Sequence, residues 1–350
     1  MRSKFSLFIL ILTLLASNLH AQQNTFTNPL LPNGADPWAI YHDGYYYFTS
    51  TRGSKLGLWK TKDITDLKNA EYKDAWIPPE GEIYSLSLWA PEIHYLNGKW
   101  YFYVAAHGDK HINHRMFVLE NTSQDPMQGE FVMKGKIVTD PADNWAIDGS
   151  VFEHKGELYF IWSGWHKPIV NVETQRIYIA RMENPWTLST DRIEISLPEY
   201  DWERNYHRTD GTPSNHIIYV NEGPSMLKHG SKLNIIYSAS GTWTDHYCLG
   251  VISADVESDL LDPASWIKHT EPIFIQSPEN GVFGPGHNSF FKSPDGTEDW
   301  NLYHAREAQQ GNTPRNPRAQ KIEWTEDDFP VLGIPVSTDS LLVKPSGSMQ

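Results

Sequence analysis

The chain of 350 residues has one cysteine, Cys248, so no internal disulfide can hold it together. That cysteine lies in the apolar stretch Tyr247-Cys248-Leu249-Gly250 and reads as a small buried residue. Basic charge is scarce too, with 29 Lys and Arg against 43 Asp and Glu. An acidic chain repels a phosphate backbone, which excludes nucleic acid as a partner. Long apolar runs are missing after residue 16. The single run, from Phe5 to Ala16, follows Arg2 and Lys4 and gives way to small residues at Ala16, Ser17 and Ala21. This is the pattern of a secretory signal peptide cut after Ala21. It is short for a membrane span, and no cysteine near the cut could carry a lipid. Residues 1–21 are therefore expected to be a signal peptide. Residues 22–350 are expected to be exported, periplasmic or secreted, with no membrane insertion.

Aromatic residues and turn formers are plentiful: 14 Trp, 17 Tyr and 14 Phe with 24 Gly and 23 Pro. Such a composition favours many short strands and tight turns, and aromatic faces on which sugar rings can stack. One local pattern recurs five times, a short strand, a glycine turn and an aromatic-rich strand. Its turn glycines are Gly44, Gly98, Gly156, Gly230 and Gly296, spaced by 54, 58, 74 and 66 residues. These intervals are too long for one hairpin and suit a four-stranded unit with its own loops. Five such units predict an all-β, five-bladed β-propeller forming a single domain over 22–350, with no linker to divide it. A β-sandwich built from similar hairpins is the alternative.

Counting eight residues back from each turn glycine reaches the start of each repeat's first strand. The residues there are Asp36, Ala90, Asp148, Glu222 and Asn288. In a propeller these positions converge on the central channel, so three blades would aim carboxyl groups into one cavity. Breaking a glycosidic bond takes a proton for the leaving oxygen and an activated nucleophile at the anomeric carbon, and Asp and Glu commonly supply both. Crowding carboxyls in a desolvated cavity drives their pKa values apart. Glu222 has the longest reach and is assigned as general acid, Asp36 as the base that activates water. Asp148 would orient the acid and raise its pKa by like-charge proximity. Trp38, Trp89, Trp145 and Trp165 flank these positions and could hold a sugar, although each taken singly suits packing between blades.

Ala35-Asp36-Pro37-Trp38, Trp89-Ala90-Pro91-Glu92, Ala146-Ile147-Asp148-Gly149-Ser150, Val220-Asn221-Glu222-Gly223-Pro224 and Gly284-Pro285-Gly286-His287-Asn288 resemble glycoside hydrolase family 43. The resemblance spans essentially the whole chain after residue 21. It implies a five-bladed propeller of inverting enzymes, with the first-blade Asp as base, the third-blade Asp as pKa modulator and the fourth-blade Glu as acid. Tyr178 to Trp186, Pro198 to Glu203, Tyr237 to Ser240 and Tyr303-His304-Ala305-Arg306 are similar to exo-acting α-L-arabinofuranosidases. The stretch 205–216 and the tail after Arg315 follow no particular branch. The resemblance implies an arabinose-containing plant polysaccharide or oligosaccharide as substrate, with Arg306 touching sugar; Trp38, Trp89 and Trp165, by their place beside the acids, and His287, by its place near the channel, are the other expected sugar contacts. No cofactor is required. His287 would face a central cation, calcium or another, in a structural role. The rival activities are β-xylosidase or endo-arabinanase on the same scaffold, and outside catalysis a sugar-binding propeller.

His111 and His114 form an HxxH that follows a strand and lacks a partner Glu at helical spacing, so it is expected to be a solvated loop. Asn121-Thr122-Ser123 has the form of a glycosylation sequon and carries no weight here.

Overall fold

A computed structural model describes residues 24–167, 174–208, 217–309 and 313–348. The expected signal peptide lies outside the described residues, as does most of the stretch 205–216.

All five expected hairpins form, and each is the inner pair of a blade. Blade one comprises Trp38–His42, Tyr45–Thr49, Leu56–Thr61 and Glu71–Trp76, blade two Leu86–Leu96, Lys99–His107, Arg115–Asn121 and Val132–Lys136. Blade three comprises Ala146–His154, Glu157–Trp165, Gln175–Asn184 and Thr187–Leu188, with Ile193–Ser196 also paired to its third strand. Blade four runs through Asn221–His229, Lys232–Ala239, Cys248–Asp255 and Ile267–Lys268, and blade five through Phe283–Lys292, Asp299–Arg306 and Asn316–Lys321. The first strands pack against one another in a closed ring, with blade five returning to blade one. The chain is an all-β, five-bladed propeller. No helix among the described residues is long and apolar enough to cross a membrane.

Five apolar clusters fill the five interfaces between blades. Tyr47, Leu56, Ile93, Trp100 and Phe102 join blades one and two, and Tyr103, Val118, Trp162 and Tyr178 join two and three. Ile179, Ile235, Tyr237 and Cys248 join three and four, Ile236, Val251, Tyr303 and Ala305 join four and five, and Phe48, Trp59, Trp300 and Leu302 join five and one. Each blade is apolar on both faces, so no blade buries itself without two neighbours. Cys248 is a free, buried thiol within this packing.

The ring is closed by the N-terminal segment. Thr25–Phe26 pairs with Leu342–Val343. The chain then lies along the outer strand of blade five, with the Leu30 N–H donating to Pro317 O at 2.8 Å and the Gly34 N–H to Arg315 O at 2.9 Å. The Asn28 side chain imitates one more ladder rung, donating to Ala319 O at 3.0 Å and accepting from the Ala319 N–H at 2.9 Å.

Hairpin turns explain one difference from the expected register. Blades one to three turn through Asp43-Gly44, Asn97-Gly98 and Lys155-Gly156, with both central residues at positive φ, the type I′ form that suits twisted strands. Blade four turns through Gly230-Ser231, where only the glycine has positive φ and comes one place earlier. Blade five closes through a longer loop, 293–298. Counting from glycine therefore slips by one residue in blades four and five.

Candidate active site

The equivalent positions are the left-handed residues two places before the regular pairing of each first strand: Asp36 (φ 56°), Ala90 (43°), Asp148 (54°), Gly223 (55°) and His287 (45°). In blades two to five the residue sits in a bulge where the ladder skips. Ala90 adopts the same conformation without a reactive group, so the bulge is architectural and the chemistry is mounted on it. The register corrects the sequence expectation. Asp36 and Asp148 occupy it, Glu222 is one residue before it, and His287 rather than Asn288 holds the fifth place.

The three acids still converge. The Gly223 N–H donates to Asp148 Oδ2 at 3.0 Å, which ties Asp148 to the peptide that follows Glu222. All three carboxyls are buried, the charge of Asp36 is felt at Glu222, and the charges of both are felt at Asp148. Glu222 accepts from the Tyr247 hydroxyl at 2.9 Å. Asp36 accepts from Thr51 Oγ1 at 2.6 Å and from Arg315 at 3.1 Å. Thr51 in turn accepts from the Ala90 N–H at 2.8 Å, so the bulge of blade two aims the hydroxyl that holds Asp36. The Nδ1 atoms of His287 and His304 each stand 3.4 Å from Asp36 Oδ1. His304 Nδ1 also accepts the Asp36 backbone N–H at 3.1 Å, fixing its left-handed turn.

These surroundings separate the acids. Burial alone would raise Asp36, but Arg315, His287, His304 and Thr51 outweigh it and hold the carboxyl well below the usual range. Burial pushes Glu222 up to about 7, with Asp36's charge adding to the rise and Tyr247 and Arg315 opposing it. Asp148 is raised well above its usual value by burial, then by Glu222 and Asp36. One buried site thus holds a carboxylate kept low beside two carboxyls pushed up, Glu222 to about 7.

The other expected contacts divide. Trp89 is half-buried beside Ala90 and stacks on His114 with ring centroids 3.9 Å apart. Trp38 donates to Ile93 O at 2.8 Å, meets the His94 ring at a tilt with centroids 4.7 Å apart, and lines a cavity of about 370 Å³ with Phe152, Met226 and Phe290 that none of the acids reaches. Trp165 is buried and stacked on Trp145 at 4.8 Å. Both serve packing between or within blades. Arg306 is buried and spends its guanidinium on Thr242 O, Thr244 O and Asp245 Oδ1, so it clamps the loop 241–245. Arg315, partly exposed and bonded to Asp36, is the arginine at the acids, and sequence reasoning missed it. A central cation would find His287 there with its Nδ1 turned toward Asp36. Among the described residues no set of three acidic, histidine or cysteine ligands gathers around it. The residues present do not make a cage for a hard cation.

A propeller whose channel mouth carries one low and two high carboxyls defines a glycosidase-type site. The profile of glycosyl hydrolases family 43 matches residues 26–330, and the chain belongs to that family. It is 38% identical over 323 residues to an extracellular exo-α-(1→5)-L-arabinofuranosidase of Streptomyces avermitilis, covering 89% of this chain. The chain spans only 64% of that relative's length. A protein of the same description from Streptomyces chartreusis is 36% identical over 287 residues, covering 81% of this chain and 83% of the relative. Among solved structures, an α-L-arabinofuranosidase from Lactobacillus brevis superposes with a TM-score of 0.82 at 36% identity, covering 90% of this chain and 98% of the other.

Proposed function

We propose that the protein is an inverting exo-α-L-arabinofuranosidase that removes terminal arabinofuranose from arabinan or arabinoxylan side chains. The observation that carries this reading is the split between Asp36, held ionised, and Glu222, held protonated up to about 7, in one buried site. Asp36 takes the proton of the attacking water as it reaches the anomeric carbon, and Glu222 gives its proton to the departing oxygen. Burial and the charge of Asp36 keep Glu222 raised, and Asp148, through the Gly223 N–H, fixes the peptide that follows it. After turnover the low pKa of Asp36 drives its proton out, and Glu222 reloads. Inversion requires room for the water, with the two carboxyl groups about 6.5–9.5 Å apart. Trp89 offers the sugar an aromatic face at the mouth, and no step passes through a metal. Export is supported by the N-terminal pattern and by relatives described as extracellular.

The test incubates the protein with linear α-1,5-arabino-oligosaccharides and, in parallel, xylo-oligosaccharides, following early products by NMR. Arabinose appearing first as the β-anomer is expected. The α-anomer first would overturn inversion, xylose would move the specificity to β-xylosidase, and a ladder of oligomers would move it to endo-arabinanase. Retention of intact oligosaccharide without turnover would leave a binding propeller.

A further inference from the structure

Beside the channel mouth one group of side chains is chemically unfinished. His107 ends the second strand of blade two, and His111 and His114 lie on and just after the short turn His111–Asn113. The HxxH expected as a solvated loop is instead joined by a third imidazole. One ring nitrogen from each lies within 4.8 Å of those of the other two. His107 is 4% exposed, and neither of its ring nitrogens has a partner. A neutral imidazole needs an acceptor for its N–H and a donor for its lone pair. A buried ring with neither calls for a ligand that the protein itself does not supply.

His114 shows a second deficit. Fully buried, it sets Nδ1 2.9 Å from His111 O and Nε2 3.1 Å from Ser87 O. A neutral ring donates to one carbonyl only, so its other nitrogen points a lone pair at an oxygen.

We propose that His107, His111 and His114 bind one divalent transition-metal ion of the zinc class. Three imidazoles match zinc, copper or nickel and mismatch calcium or magnesium, which take oxygen. Metal–nitrogen bonds of about 2.0–2.1 Å bring tetrahedral ligands about 3.4 Å apart, so the rings must draw together. His111 is exposed on a short turn and can make that movement. Water would take the fourth position. Trp89 stacks on His114 at 3.9 Å and on His111 at 5.3 Å, so the ion would lie against the aromatic face at the channel mouth. The site does not depend on which glycoside is cut.

The test uses the untagged full chain, stripped with a chelator and then dialysed. It is titrated with zinc chloride by calorimetry and with cobalt(II) by visible absorption. Expected are one zinc per chain, the intense visible bands of tetrahedral cobalt, and affinity at least about tenfold weaker in His111→Ala and in His107→Leu. Absence of binding would overturn the proposal, as would binding unchanged in the variants, which would place the ion on other histidines. Calcium binding as tight as zinc would overturn it too. If His107→Leu does not fold, His111→Ala on its exposed turn decides alone.

Discussion

Asp36, Asp148 and Glu222 are all buried, and burial pushes each carboxyl upward; Asp36 ends low because Arg315, His287, His304 and Thr51 outweigh it. Arg315 heads those opposing partners, so Arg315→Ala should raise the Asp36 carboxyl. The acid limb of kcat/KM would then move to higher pH by about one pH unit or more. An unmoved acid limb would show that Arg315 does not act through Asp36. For Glu222→Gln, the loss on arabino-oligosaccharides should reach about 10²–10⁴-fold, and much less on activated aryl arabinofuranosides that need little protonation. Equal losses would remove Glu222 from the acid's role. Stability carries its own sign. Glu222 is raised from 4.5 to about 7, so its contribution is fully present below the unfolded value and is lost as pH rises through about 7. Glu222→Gln should therefore melt higher than the parent at pH 8, by up to about 3 kcal/mol of stability, with the advantage gone at pH 5. At this scale the acids were legible because two of them share one register and the third misses it by a single residue. Arg315, Thr51, His304 and Tyr247 were not, since each reaches its acid from a distant or separately folded part of the chain and no local pattern marks it.

Among the elements, the hairpins were legible because Asp-Gly, Asn-Gly and Lys-Gly each satisfy a turn that demands positive φ. Short outer strands such as Thr187–Leu188 and Ile267–Lys268 carry too few residues to show a period. The segment between blades three and four, which resembled no single branch at its far end, is anchored by a buried carboxylate. Glu203 accepts from Lys268 at 2.9 Å, the Tyr237 hydroxyl at 2.8 Å, Asn221 at 3.0 Å, and the backbone N–H groups of Glu199 and Tyr200. Asn221 precedes Glu222, and Ser196 and Ser163 also bond to it. The general acid thus stands beside a residue locked from three sides. Glu203→Gln removes the charge that balances the buried Lys268 and should cost about 3–5 kcal/mol by urea denaturation. Adding Lys268→Met should recover part of that loss. If the single variant unfolds at the parent's midpoint, the network is not what holds this segment.

For the molecule as a whole, the five repeats announced a ring, but nothing in the sequence announced how it closes. Asn28 belongs to no repeat, and its two bonds to Ala319 cross the full length of the chain. The same segment places Gly34 on Arg315 and, two residues on, presents Asp36 to the guanidinium, so ring closure and assembly of the base are one event. Asn28→Ala leaves the Ala319 N–H and C=O without their side-chain partner and should cost about 2 kcal/mol or more, with Asn28→Asp, which keeps the acceptor, falling between. Because each blade needs both neighbours, the loss should lower the midpoint of one cooperative transition, with the denaturant slope unchanged. The Leu30 and Gly34 bonds remain in the variant, so kcat/KM well below the melting temperature should stay within about twofold of the parent. A second, earlier transition would show instead that blades one and five separate before the rest unfolds. The ring would then be clasped at its ends, and its cooperativity would not depend on the inter-blade clusters alone.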